Sequence, residues 1–139
     1  MIAFRVDAIP VAQPRQRHRV VSAGGRTFAQ NYTPKSDPVN TFKAAVQAAC
    51  IRHATAPMEG PVRLTLGFVF PRLATAPKRI TSRVPKATKP DVDNLVKAFC
   101  DAANGLLWFD DSQVCDLTAL KIFAAVGEQA GVDVVVESA

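Results

Sequence analysis

The stretch Lys89-Pro90-Asp91-Val92-Asp93-Asn94-Leu95-Val96-Lys97, followed by Trp108-Phe109-Asp110-Asp111, sets four carboxylates and Lys97 around a single short helical segment. Mg²⁺ is a hard cation that takes a few carboxylate oxygens and keeps several of its waters. Acidified by the metal, such a water can attack phosphorus. The chemistry this pattern suits is metal-assisted cleavage of a phosphodiester.

The helix that must carry these groups is predicted from about Asp93 to Asn104. Leu95, Phe99, Ala102 and Ala103 make one apolar stripe; Asp93, Lys97, Asp101 and Asn104 make a polar one, and Gly105 is placed to end the helix. Asp91 and Asp93 precede or open it, and Lys97 lies one turn after Asp93 on the same face, so the three side chains are expected to converge at its N-terminus. Helix-end N–H groups favour carboxylates and phosphate there. A turn at Gly105 and a return through Trp108-Phe109 can bring Asp110, Asp111 or both back to the same end. Taken singly the residues are weak signals: Asp91 and Asp93 read as helix caps, Asp110-Asp111 as a turn, and Lys97 as an exposed ion-pair partner of Asp93 and Asp101. Their combination with an upstream basic loop raises the catalytic reading.

The flanking elements follow from periodicity. Ile2, Phe4, Val6 and Ala8 alternate with Ala3, Arg5 and Asp7 as a strand closed by Pro10. Pro14 to Arg19 is a basic loop, and Gly24-Gly25 is a turn between two extended pieces ending near Tyr32. Asp37-Pro38 starts a helix running to about Ala54, with Val39, Phe42, Val46, Ala49 and Cys50 at helical spacing. Val62 to Phe70 alternates as a strand, and Val114–Phe123 and Val132–Glu137 read as two more. Between them, Pro71 to Pro90 holds four prolines and six basic residues without an apolar period. It is expected to be a basic flexible loop, poorly ordered without ligand. The order predicts one α/β (α+β) domain over residues 1–139, a mixed sheet packed by two main helices.

With 139 residues, 48% of them hydrophobic, the chain can bury one core. No window approaches ~18 uninterrupted apolar residues and no signal peptide is evident, which predicts a cytoplasmic protein with no membrane association. Cys50, Cys100 and Cys115 are odd in number, lack zinc spacing and sit among apolar neighbours, as small buried residues would. The net charge of +5 conceals segregation: residues 1 to 89 carry 15 Lys and Arg against 3 Asp and Glu, residues 90 to 139 carry 2 against 9. A polyanion-attracting surface joined to an acidic, cation-binding cluster suits a metal-dependent nucleic-acid enzyme. Arg15, Arg17, Arg19, Arg26, Lys78, Arg79, Arg83, Lys86 and Lys89 are the candidate DNA phosphate contacts. His18 and His53 read as a solvated loop residue and a structural one. Trp108 reads as a core anchor for the return of Asp110-Asp111, although it or Phe109 could stack on an exposed base.

The run Lys89 to Val114, KPDVDNLVKAFCDAANGLLWFDDSQV, closely resembles the signature of RusA-type Holliday junction resolvases. The two aspartates, Asn-Leu, lysine, Asp-Ala and late Asp-Asp with Gln match in order and spacing. The N-terminal strand, the Pro14 to Arg19 loop and Tyr32-Thr33-Pro34 agree more loosely. The resemblance implies a homodimer that binds four-way DNA junctions and cuts two opposed strands with Mg²⁺ or Mn²⁺, without an organic cofactor. It implies Asp91, Asp93 and Asp111 as metal-binding catalytic aspartates, Lys97 as the catalytic lysine, and Asp110 as an adjacent ligand. Ala103 and the long 71–88 segment depart from the family pattern. Two rival readings are a nuclease of broader branched-DNA or flap specificity and a non-catalytic DNA-binding module. An Asp-x-Asp phosphatase fits poorly, because a basic proline-rich loop leads into the motif.

Overall fold

The structure is a computed structural model that describes residues 1–14 and 17–139, and of Arg17, His18 and Asn31 the backbone alone. Its elements run β1 (Ile2–Val6), β2 (Arg17–Ala23), β3 (Arg26–Tyr32), α1 (Pro38–His53), β4 (Val62–Phe70), β5 (Val84–Pro85), α2 (Val92–Ala103), β6 (Val114–Phe123) and β7 (Gly131–Ser138). A 3₁₀ turn, Asp111–Gln113, leads into β6. Five strands form one mixed sheet in the order β1-β7-β4-β6-β5, in which β4 and β6 are parallel and the other pairs antiparallel. This is the mixed sheet with two main helices that the periodicity predicts.

In β4, Leu64, Leu66, Phe68 and Phe70 lie opposite Leu117, Ala119, Lys121 and Phe123 of β6. Directly paired residues share a face, and this face carries the core. Helices α1 and α2 cover it, burying Val39, Phe42 and Val46 from one and Leu95, Ala98, Phe99 and Ala102 from the other. Asp37 caps α1 by accepting from the Val39 N–H at 2.9 Å, with Pro38 in the first turn, as its sequence foretells. Lys43 and Asp101 link the helices at 3.7 Å, and His53 stacks on Phe4 with ring centres 5.0 Å apart, a structural placement.

Residues 71–90 contain more structure than their composition suggests. β5 pairs with the edge of β6, and the Val126 N–H donates to the Thr81 carbonyl at 3.0 Å. Arg83 bonds Glu128 and Asp133, and Arg5 of β1 reaches the same two carboxylates. Arg5, Asp133 and Gly67 occupy mutually paired positions on the sheet face away from the helices. The segment therefore begins against the open face, passes the β6 edge at β5, and ends against the helix-covered face. Side-chain ion pairs, invisible to an apolar-period reading, do what apolar contacts do elsewhere.

Arg83, and then the Ala125 N–H, hold the Glu128 carboxyl down at about 2. The unfolded value is near ~4.3, so Glu128 stabilises the fold above that pH and loses its contribution as pH falls toward 2. The wild-type Tm is expected to drop more steeply between pH 4.5 and 2 than that of Glu128→Gln; parallel profiles by circular dichroism would show the network to be idle.

The second sheet is the hairpin β2–β3, turned at Gly24 and Gly25, both at positive φ. Two glycines suit the primed turn of a two-residue hairpin. The ribbon stands outside the five-stranded sheet, with Val20 and Phe28 exposed. Its register puts Arg19, Val21 and Ala23 on one face with Gln30, Phe28 and Arg26. No helix among the described residues is long and apolar enough to cross a membrane. The cysteines are all free, but only Cys50 is fully buried; Cys115, expected inside, lies exposed at the register shift where β6 begins to pair with β4.

Candidate active site

Asp91 occupies the N-cap position of α2, yet its carboxylate makes no capping hydrogen bond and is exposed to solvent. The capping role that Asp37 performs on α1 is thus absent at Asp91. Asp93, in the first turn, accepts from the Asn94 N–H at 3.0 Å and is also exposed. Lys97 follows one turn later, exposed, and forms no ion pair among the described residues. Its supposed partner Asp101 is engaged instead with Lys43. The two ordinary explanations for this polar stripe, capping and helical ion pairing, therefore leave Asp91 and Lys97 unaccounted for.

The return from α2 is tightly built. Gly105 takes φ +79° and its N–H donates to the Trp108 carbonyl at 2.8 Å. Trp108 is fully buried, which leaves no face for a nucleic-acid base, while Phe109 is 59% exposed. The indole N–H of Trp108 donates to Asp111 Oδ1 at 2.8 Å. Gln113 pins the same turn: its Oε1 accepts from the Phe109 and Asp110 N–H groups, and its Nε2 donates to the Met58 and Gly60 carbonyls. Ser112 donates to Asp110.

Asp111 comes up beside Cys100, whose thiol is pushed up to about 12, first by burial and then by the charges of Asp111 and Asp101. Cys100 lies one turn beyond Lys97. Asp111 leads the 3₁₀ turn that joins this return to β6. One face of α2 thus presents Asp93 and then Lys97, with Asp91 at its head. Among the described residues no three His, Cys, Asp or Glu side chains stand close enough together to hold a metal ion. The donor set is nonetheless all carboxylate oxygen, the ligand type of Mg²⁺, which fills the rest of its shell with water and phosphate oxygens.

The residues 9–137 match the family model described as "Endodeoxyribonuclease RusA". The chain belongs to the RusA endodeoxyribonuclease family. Members of this family are Mg²⁺-dependent nucleases that act on branched DNA as dimers. The chain is also similar to "Uncharacterized protein YqaN" of Bacillus subtilis (strain 168), 32% identical over 133 residues that span 88% of each chain.

In this RusA-family chain the basic N-terminal loop meets the acidic helix directly: the Gln13 N–H donates to the Asn94 carbonyl at 2.9 Å. Gln13 also buries a side-chain oxygen that has no hydrogen-bond partner among the described residues. Of the basic candidates, Arg15 lies outside the described residues, and so does the Arg17 side chain. Arg19 bonds Gln30 and lies over Tyr32 at 5.0 Å. Arg26, Lys78, Arg79 and Lys89 are exposed. Arg83 is held in the network with Glu128 and Asp133, and Lys86 bonds Thr88 with its ammonium over the Phe70 and Phe123 rings. These two are placed as braces of the fold.

The Trp108 bond to a charged partner is of the kind that contributes about 1.5–3 kcal/mol. Trp108→Phe, which keeps an aromatic ring and loses the N–H, is expected to lower Tm by roughly 5–10 °C and to reduce cleavage beyond the loss of folded protein. An unchanged specific activity would mean that Asp111 needs no orienting.

Proposed function

We propose that the chain is a homodimeric endodeoxyribonuclease that resolves four-way DNA junctions by paired, symmetric cuts with Mg²⁺, or Mn²⁺ in its place. What carries this reading is that Asp91 at the head of α2 and Lys97 on the face of Asp93 are both exposed, with no capping bond for the one and no ion pair among the described residues for the other. Asp91, Asp93 and Asp111 would hold the ion, which would supply Lewis-acid polarisation of the scissile phosphate and an acidified water. The Trp108 indole N–H would fix the orientation of Asp111, as outer donors orient metal-binding carboxylates elsewhere. Asp110, bonded to Ser112, stands beside the set as an auxiliary acceptor. Lys97, between two carboxylates, neutralises charge that grows on the phosphate during displacement.

The exposed bases of the hairpin and of residues 78–89, with Arg15 and Arg17, carry the phosphate backbone toward this face. Two opposed cuts on a near-symmetric junction call for two such sites related by a two-fold axis.

The test compares a labelled synthetic four-way junction with a matched duplex, a flap and a fork in Mg²⁺. Paired symmetric nicks on the junction alone are expected. Equal cutting of all four DNAs would make the chain a general branched-DNA nuclease, and binding without cutting in any metal a non-catalytic module.

A further inference from the structure

Lys121 stands on the helix-covered face of β6, in line with Leu117, Ala119 and Phe123 and opposite Phe68. A lysine at such a position needs polar partners. Its Nζ donates to the main-chain carbonyls of Thr88 and Pro90, both at 2.7 Å, and its own carbonyl accepts from the Lys86 N–H at 3.0 Å. One residue thus grips the chain at three points immediately before Asp91. These are charge-assisted bonds to carbonyls, shorter and stronger than neutral ones. The Asp91 side chain has no capping bond of its own. Its place is set by the backbone that Lys121 holds.

We propose that Lys121 is a positioning residue of the nuclease site: by tying the Thr88 and Pro90 carbonyls to β6, it fixes where Asp91 and the first turn of α2 stand against the sheet. This rests on the reading of Asp91, Asp93 and Asp111 as the metal-binding set. With two of its three ammonium protons committed to main-chain carbonyls, Lys121 acts through the loop and not on phosphate.

The experiment measures three quantities on the whole chain for wild type, Lys121→Met and Asp93→Asn: the Mn²⁺ Kd by calorimetry, the Tm, and four-way-junction affinity in EDTA. Outer partners of metal sites typically contribute 10–100-fold to affinity, so Lys121→Met is expected to weaken Mn²⁺ binding at least tenfold, with Tm lowered by only a few degrees and junction affinity in EDTA within twofold of wild type. Mn²⁺ affinity within twofold of wild type overturns the proposal, and a tenfold loss of junction affinity with Mn²⁺ binding intact assigns Lys121 to DNA instead. Should the Met variant not fold, Lys121→Gln, which keeps a donor at shorter reach, is read by the same criteria. If Asp93→Asn binds Mn²⁺ as tightly as wild type, the metal-binding set itself is wrong and the proposal falls with it.

Discussion

Asp93→Asn is expected to reduce four-way-junction cleavage at least ~10³-fold while junction binding persists. The size follows from what the carboxylate does: a metal that stabilises transition-state charge contributes several kcal/mol, and each 1.36 kcal/mol is tenfold in rate. The substitution is chosen because it leaves the fold alone. Asp93 accepts from the Asn94 N–H through Oδ1, and the Asn amide oxygen can accept the same bond. Being exposed, the side chain supports no core contact. If this surface meets DNA as proposed, removing a negative charge from it should hold or tighten binding in the absence of metal. Melting curves within a degree or two of wild type, unaltered gel shifts in EDTA and loss of nicks in Mg²⁺ make up the expected pattern. Cleavage within threefold of wild type would remove Asp93 from the site and return it to the role of a first-turn acidic residue.

Junction affinity should fall by roughly 10³–10⁵ between 50 and 200 mM salt if the dimer neutralises six to ten phosphates. The source of so steep a slope is the concentration of positive charge in residues 1 to 89. Arg26, Lys78, Arg79 and Lys89 form no ion pair among the described residues and are exposed. Binding isotherms by fluorescence anisotropy across that salt range measure the effect. Two variants give the slope residue-level meaning. Lys89→Ala should flatten it by about one for each phosphate that this lysine neutralises. Arg83→Ala should leave it unchanged and lower Tm, since its guanidinium is held by Glu128 and Asp133. A flat wild-type profile would mean that the basic half of the chain is solubilising alone.

The elements were legible in the sequence wherever a local rule acts. Asp37-Pro38 starts α1 because capping and the fixed φ of proline operate within four residues. Val114–Phe123 is a strand from end to end, and Gly24-Gly25 turns the hairpin because glycine alone takes two positive φ angles cheaply. The segment 71–90 was not legible: it is held by Arg83, Lys86 and Lys121, whose partners lie about 30 to 50 residues away or are aromatic faces. Lys121 did leave a trace, as the one cation on the apolar face of β6, a position where a lysine must find acceptors. Gln113 left less, since an amide that bonds four main-chain groups looks like any exposed glutamine until its loop folds.

The sequence by itself determined the chemical inventory: carboxylates and a lysine at helical spacing, a basic half and an acidic half, and the family to which they belong. Side-chain type and short-range periodicity suffice for these, because a helix turn fixes which neighbours share a face. Only the tertiary structure decided which charges are free. It released Asp91 from capping and Lys97 from pairing, assigned Asp101 to Lys43 and Arg83 to Glu128, and bonded Asp111 to the buried Trp108. Those outcomes depend on partners brought close by the sheet order β1-β7-β4-β6-β5, and electrostatic pairing is decided by distance in space, which no spacing along the chain records.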